Sequence, residues 1–113
     1  MSIFVVAENK NVDMKILLVK EGKVEIKTHG GALFGIIGNG DVVTADFNNE
    51  QNLVVLTRRN GKVEVYSENG VLFGRIGNGD AIDAKWNGDD LAITTKSGKV
   101  EVRNKTNSLI RIF

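Results

Sequence analysis

Apolar and polar residues alternate one by one along short stretches of this chain, and the stretches break at glycine. In Lys62-Val63-Glu64-Val65-Tyr66 the two valines fall on one side and Lys62, Glu64 and Tyr66 on the other. That period of two is what a pleated strand with one covered face requires. Asn60-Gly61, Asn69-Gly70 and Asn87-Gly88 punctuate the alternation. Such pairs favour tight hairpins because both residues tolerate positive φ. No window carries helical periodicity. The chain reads as many short antiparallel strands.

The pattern also repeats. Gly22-Lys23-Val24-Glu25-Ile26 returns as Gly61-Lys62-Val63-Glu64-Val65 and as Gly98-Lys99-Val100-Glu101-Val102, at spacings of 39 and 37 residues. Interleaved with it, Phe34-Gly35-Ile36-Ile37-Gly38-Asn39-Gly40-Asp41 returns as Phe73-Gly74-Arg75-Ile76-Gly77-Asn78-Gly79-Asp80, identical at seven of eight positions. Two elements recurring in one register mark a repeat architecture. Each unit divides into four strands, A to D. They are expected near Ile3–Glu8, Met14–Lys20, Lys23–Thr28 and Ala32–Ile37 in the first unit. In the second they are expected near Asp41–Asn48, Asn52–Arg58, Lys62–Ser67 and Val71–Ile76. In the third they fall near Asp80–Asn87, Asp90–Thr95, Lys99–Asn104 and Ser108–Phe113.

The stretch Gly61 to Ile76, GKVEVYSENGVLFGRI, resembles the C and D strands of a WD40-like β-propeller blade. The resemblance covers essentially the whole chain. It implies an all-β fold of three four-stranded antiparallel blades, about residues 2–39, 40–78 and 79–113 of a single domain. Two features depart from the strict WD40 pattern. The Trp-Asp pair that ends strand C is Tyr66-Ser67 here and Arg103-Asn104 in the third unit, and the Gly-His pair before strand A is Gly-Asn. The buried polar network of strict WD40 repeats is therefore not expected. The alternative fold is a β-trefoil monomer, which also has three four-stranded repeats. Short turns and the strand C motif favour the propeller.

Closed propeller rings typically hold about four to eight blades. Three would leave two apolar sheet faces open, and such faces mark interaction surfaces. The chain's first and last strands match the start of strand A and the end of strand D. A head-to-tail homodimer is thus expected to complete a six-bladed ring, with trimeric closure the other possibility.

Composition narrows the functional classes. Apolar residues make up 42% and charged residues 26%, and the net charge is +1. That balance argues against a bulk nucleic-acid binder. No cysteine is present, so thiolate metal sites and cysteine nucleophiles are excluded. No apolar run approaches the ~18 residues of a membrane helix, and the first residues lack the basic-then-apolar pattern of a signal peptide. Cytoplasmic residence without a membrane partner is the expectation. Thirteen glycines without a proline fit many hairpins.

In a four-stranded meander the B–C turns and D–A linkers share one face. The A–B and C–D turns share the other. The first face collects Lys20, Lys23, Arg58, Arg59, Lys62, Lys96 and Lys99, and the second Asp13, Glu50, Glu68, Asp89 and Asp90. One face should be basic and the other acidic. Asn39, Asp41, Asn78 and Asp80 fall in the repeated linkers of the basic face, where Asn and Asp offer oxygen acceptors for a partner, a sugar or backbone amides, besides being ordinary turn residues. With Arg58, Arg59 and Trp86 they form the candidate ligand- or partner-binding set. Phe47 and Trp86 hold equivalent places, as do Phe34 and Phe73. Repetition points to packing between blades, although the strand-end place of Trp86 could expose it. His29 is the single histidine and reads as a solvated turn residue. Asp46, Asp83 and Lys85 lie on strand A as structural or channel-lining charges. No nucleophile–base–orienter set can be named, and no metal or cofactor is implied. The expected function is a non-enzymatic binding or scaffold module that docks a protein partner or ligand on one face. The alternative is a lectin-like propeller binding carbohydrate.

Overall fold

The computed structural model describes residues 2–5, 15–28 and 30–113. Among them lie twelve strands. The first four are β1 (Ser2–Val5), β2 (Lys15–Lys20), β3 (Lys23–Thr28) and β4 (Leu33–Ile37). The next four are β5 (Val42–Asn48), β6 (Leu53–Arg58), β7 (Val63–Ser67) and β8 (Leu72–Ile76). The last four are β9 (Ala81–Asn87), β10 (Asp90–Thr95), β11 (Val100–Arg103) and β12 (Leu109–Ile112). They form three separate four-stranded sheets, β1–β4, β5–β8 and β9–β12, each an antiparallel meander in sequence order. These are the three blades. Independent sheets without a shared barrel exclude the trefoil. Val6–Glu8 and Met14, assigned to strands by pattern, lie outside the described residues, as do Asp13 and His29.

Turn chemistry fixes the register within each blade. The first B–C turn has two central residues, Glu21 and Gly22, at φ 53 and 73. Both values are positive, as a type I′ hairpin demands. The second and third B–C turns are one residue longer, closed by Arg58 N–H to Lys62 O at 2.8 Å and Thr95 N–H to Lys99 O at 2.8 Å. Lys20, Arg58 and Thr95 are therefore the equivalent strand-end residues, a correspondence that the spacing of the Gly-Lys-Val-Glu motif hides by one position.

Consecutive blades meet through two apolar joints. Leu17, Val24, Ile26 and Ile37 of the first blade pack on Val42, Phe47, Val54 and Leu56 of the second. Val55, Val63, Val65 and Ile76 from the other side of the second blade pack on Ala81, Ala84, Leu91 and Ile93 of the third. Alternation thus sends successive residues of β6 into different joints: Val54 and Leu56 into the first, Val55 into the second.

Each joint is tied by its D–A linker. Val42 N–H donates to Gly22 O at 2.9 Å, and Ala81 N–H donates to Gly61 O at 3.0 Å. The contact leaves no room at the glycines. A Cβ on Gly22 would lie 2.1 Å from Gly40 O, and one on Gly61 would lie 2.3 Å from Gly79 O. Gly98, the third copy, has open space around it.

The first blade departs from the repeat at its inner strand. Ile3 pairs with Leu18, whereas Ala45 pairs with the equivalent Leu56. Ile3 therefore corresponds to a residue well inside strand A, not to its start. The outer strands depart from expectation differently. Phe34 is 40% exposed and Phe73 54%, so these repeated aromatics lie on the outer rim and do not fill the joints. Ten of the twelve exposed large hydrophobics of the described residues lie on or beside β4, β8 and β12; the other two are Val43 and Ile82.

Candidate docking face

The linker face is built from strand ends. β4 and β8 deliver the Gly-Asn-Gly-Asp linkers, and β2, β6 and β10 deliver the B–C turns. Arg58, at the end of β6, organises the first linker. One guanidinium nitrogen donates to Asn39 Oδ1 at 3.0 Å and to the Asp41 carboxylate. Its Nε donates to Glu64 Oε1 at 2.7 Å, and its third nitrogen to Tyr66 Oη at 3.2 Å. Tyr66 in turn donates to Glu64 Oε1 at 2.9 Å, and Arg75 reaches Glu64 Oε2 at 3.3 Å. Glu64 is buried, which pushes its carboxyl up. Hydrogen bonds from Arg58 and Tyr66, with the charges of Arg58 and Arg75, outweigh burial and hold it below the usual carboxylate range. The same bonds raise Arg58 further, against a burial penalty that lowers it. Burial and the bond to Glu64 push the Tyr66 hydroxyl up.

The second linker has the same sequence and no such clamp. Thr95 stands in the place of Arg58, and its hydroxyl is spent on Ser97 and the Lys99 backbone. Glu101, the equivalent of Glu64, pairs with Arg103 at 2.9 Å. Asn78 is exposed and Asp80 half-buried. Of the candidate set, the structure brings together Asn39, Asp41 and Arg58 and leaves Asn78 and Asp80 in an unclamped copy of the same linker. Arg59 is exposed; its backbone N–H, not its side chain, holds Asp41 O at 2.8 Å.

Trp86 stands apart from this group. It sits at the far end of β9, half-buried against the second joint. Its backbone N–H donates to Asp46 Oδ2 at 2.8 Å, and its indole N–H to Asp46 O at 3.3 Å. Desolvation raises the Asp46 carboxyl above its ordinary value, offset in part by the N–H groups of Trp86 and Phe47. Asp83 accepts from Ala84 N–H at 2.9 Å. Among the described residues no group of three His, Cys, Asp or Glu could hold a metal ion. No helix among them is long and apolar enough to cross a membrane.

Lys20, Lys23, Arg59, Lys62, Lys96 and Lys99 are all exposed around the linker face, with Glu21 among them. On the opposite face Glu50 and Asp89 are exposed and Glu68 and Asp90 half-buried, beside a half-buried Lys105.

No protein-family model and no curated protein matches the sequence. Solved structures do match. Over 92% of its length the chain superposes on the C-terminal WD40 domain of Sif2 with a TM-score of 0.63 at 12% identity. The chain has the fold of three blades of a WD40-like β-propeller. It also superposes on Sqt1 of Saccharomyces cerevisiae over 99% of its length, with a TM-score of 0.74 at 14% identity. BamB of Moraxella catarrhalis matches over 100%, at 0.69 and 13% identity. The propeller chain spans only 34%, 34% and 39% of those three proteins, respectively.

Two sets of residues on this propeller face escape the sequence pattern. Glu64, Tyr66 and Arg75 form a polar network around the buried Glu64 carboxylate, with Arg75 reaching it from solvent, although the strict WD40 residues are missing. Their signal is the opposition of Glu64 to Arg75 across β7 and β8, visible once register is known. Val43 and Ile82 are the second set. Each is the extra residue of a β-bulge, between Val42 and Thr44 opposite β6 and between Ala81 and Asp83 opposite β10. The doublets Val42-Val43 and Ala81-Ile82, which break strict alternation, are the trace they leave in the sequence.

Proposed function

We propose that this chain is a non-enzymatic docking module, resident in the cytoplasm, that works as a propeller ring closed by a second copy of itself and presents its linker face to a protein partner. The pair of open blade faces carries the reading. On the leading face of the first blade, Ile16 and Leu18 are half-buried, while their equivalents Val54 and Leu56, and Leu91 and Ile93, are covered by a preceding blade. On the trailing face of the third blade, Val100 is half-buried and Phe113 is 69% exposed, while their equivalents Val63 and Ile76 are buried by a following blade. The two open faces are the two halves of a contact that forms twice within the chain. Seating one on the other in two copies gives six blades and a closed twofold ring. Apolar burial of roughly 25 cal/mol per Å² drives the contact, against the entropy cost of association.

The docking role rests on fold analogy together with the exposed cations of the linker face. Binding without catalysis fits the carboxylates at hand: Asp41 is held by Arg58 and Asp46 by backbone N–H groups. A carbohydrate site has less support, because Arg58 occupies Asn39 and Asp41 and Trp86 lies at the other end of its strand. Light scattering on the purified chain tests the ring. The expected mass is twice the 12.3 kDa of one chain at micromolar concentration. A well-folded monomer at that concentration overturns ring closure by a second copy.

A further inference from the structure

Each bulge on the inner strands sits beside a cation of the neighbouring turn. Val42 pairs with Arg58, and Arg59 N–H holds Asp41 O, so Arg59 stands across from the residue two before Val43 on the same face. Ala81 pairs with Thr95, and Lys96 N–H holds Asp80 O at 2.9 Å, so Lys96 likewise stands across from the residue two before Ile82. Val43 is 43% exposed and Ile82 51%. A bulge re-aims a side chain, and such features recur beside functional surfaces. Here two bulges at matching positions each turn a branched aliphatic out of the joint and into solvent, on the innermost strand, where a polar residue would be more soluble.

We infer that these two aliphatic–cation pairs are the anchor points for an acidic protein segment carrying apolar residues. The inference rests on the docking reading above and names the chemistry of the partner. An apolar centre ringed by polar groups is the anatomy of an interface hot spot. Lys20, Lys23, Lys62 and Lys99 are exposed farther out on the same face and extend the positive field. The opposing carboxylates there are fewer: Asp41 is neutralised by Arg58, leaving Glu21, Asp80 and the half-buried Asp83 that follows Ile82. Complementary charge would steer the segment in and fix its register. Bare aliphatic side chains suit an apolar side chain and do nothing for a phosphate. Among the described residues of the face no aromatic is free to stack a base, since Tyr66 is committed to Glu64 and Arg58. An acidic peptide is therefore favoured over single-stranded RNA.

The test is selection of a random twelve-residue displayed peptide library on the purified chain, followed by fluorescence anisotropy of the winners. Enriched peptides should be rich in Asp and Glu around one or two bulky apolar residues. The double variant Val43→Ser, Ile82→Ser should weaken them at least tenfold, and Arg59→Glu with Lys96→Glu by a similar factor. These side chains make no hydrogen bond or ion pair among the described residues, so melting temperature should hold, and Asn69→Ser on the opposite face serves as the neutral comparison. Affinity should fall on going from 50 to 300 mM salt. Enrichment of basic or neutral peptides that are lost in the same variants overturns the acidic partner and leaves the docking face standing. Tighter binding of a twelve-nucleotide RNA than of any peptide overturns it in favour of nucleic acid. Failure to enrich any peptide, or enrichment indifferent to all four substitutions, overturns both the inference and the docking face.

Discussion

The two joints carry the same linker sequence and are held in opposite ways. At the first joint the polar contacts concentrate on the linker face: Arg58 joins Asn39, Asp41, Glu64 and Tyr66 above a core that includes Phe47. The other end has the ion pair of Lys15 with Glu68, 3.6 Å apart. At the second joint the linker has no arginine clamp, only Gly77 N–H donating to Asn107 Oδ1 at 2.8 Å, and the far end is laced. Asp46 takes the Trp86 N–H groups, Asn48 donates to Gly88 O at 3.2 Å, and Gln51 bridges Asp89 and Lys105. The core there uses Ala81 and Ala84, small residues that Trp86 supplements from the edge. Identical linker sequence therefore does not mean identical local stability. What differs at the linker is the residue at the end of strand B, Arg58 or Thr95.

The largest expected effect removes what the joints share. Gly61→Ala places a Cβ 2.3 Å from Gly79 O at φ 90 and should cost at least about 3 kcal/mol or block folding. Gly22→Ala should do the same at the first joint. Gly98→Ala, with φ 89 and open space, should cost only about 1 kcal/mol. Thermal and urea unfolding of the three variants compares them directly, and equal losses at all three positions would sink the tight-joint account.

Next come the two glutamates. Glu64→Ala removes bonds to Arg58, Tyr66 and Arg75 at once, leaves the largely buried Arg58 only Asp41 as a carboxylate partner, and should cost about 3 kcal/mol. Glu101→Ala breaks one pair, with Arg103, and should cost less. Arg58→Thr copies the third blade into the second. Hydrogen exchange of the Gly40 amide should then rise towards that of Gly79, with little change at the second joint.

Acid should separate the joints further. Glu64 titrates below its ordinary value of 4.5 when folded, so its contribution is intact above that value and is lost as pH falls through the depressed one. Asp46 titrates above its ordinary 3.8, so its contribution runs the other way and grows as pH falls. Exchange protection at the first joint should therefore fall before that at the second on acidification below about pH 4.5. Glu64→Gln should flatten the acid limb at the first joint. Simultaneous loss at both joints would contradict the assignment.

The smallest effect is a gain. Thr57 is fully buried, and its hydroxyl has no hydrogen-bond partner among the described residues. Thr57→Val keeps the shape and should raise stability by about 1 kcal/mol, read at the second joint.

The sequence made the blades legible because alternation, turn glycines and the double repeat agree. Val63 and Val65 read correctly as one face of a strand, and Phe47 as a joint residue. The clamp was legible only in part. Arg58, Asn39 and Asp41 stand out by type, but their union with Glu64 and Arg75 depends on which residues lie opposite across strands. One extra turn residue between Arg58 and Lys62, relative to Lys20 and Lys23, shifts that correspondence. Phe34 and Phe73 misled for a related reason. Repetition shows that a position matters in every blade but not whether it lies at a joint or on the rim, and strand D runs along the rim. Val43 and Ile82 were missed because a bulge breaks the very periodicity used to find strands.

The apolar outer strands have a consequence for the protein as a material. β4, β8 and β12 each offer a bare row of backbone donors and acceptors flanked by side chains such as Leu33, Leu72 and Ile110. An exposed apolar edge of this kind templates further strands. Heated or concentrated solutions should thus fail by stacking blades edge to edge before the cores melt. The deposit should bind thioflavin and diffract at about 4.7 Å, the spacing of stacked strands. A single lysine in place of Leu72 should delay that onset without moving the melting temperature.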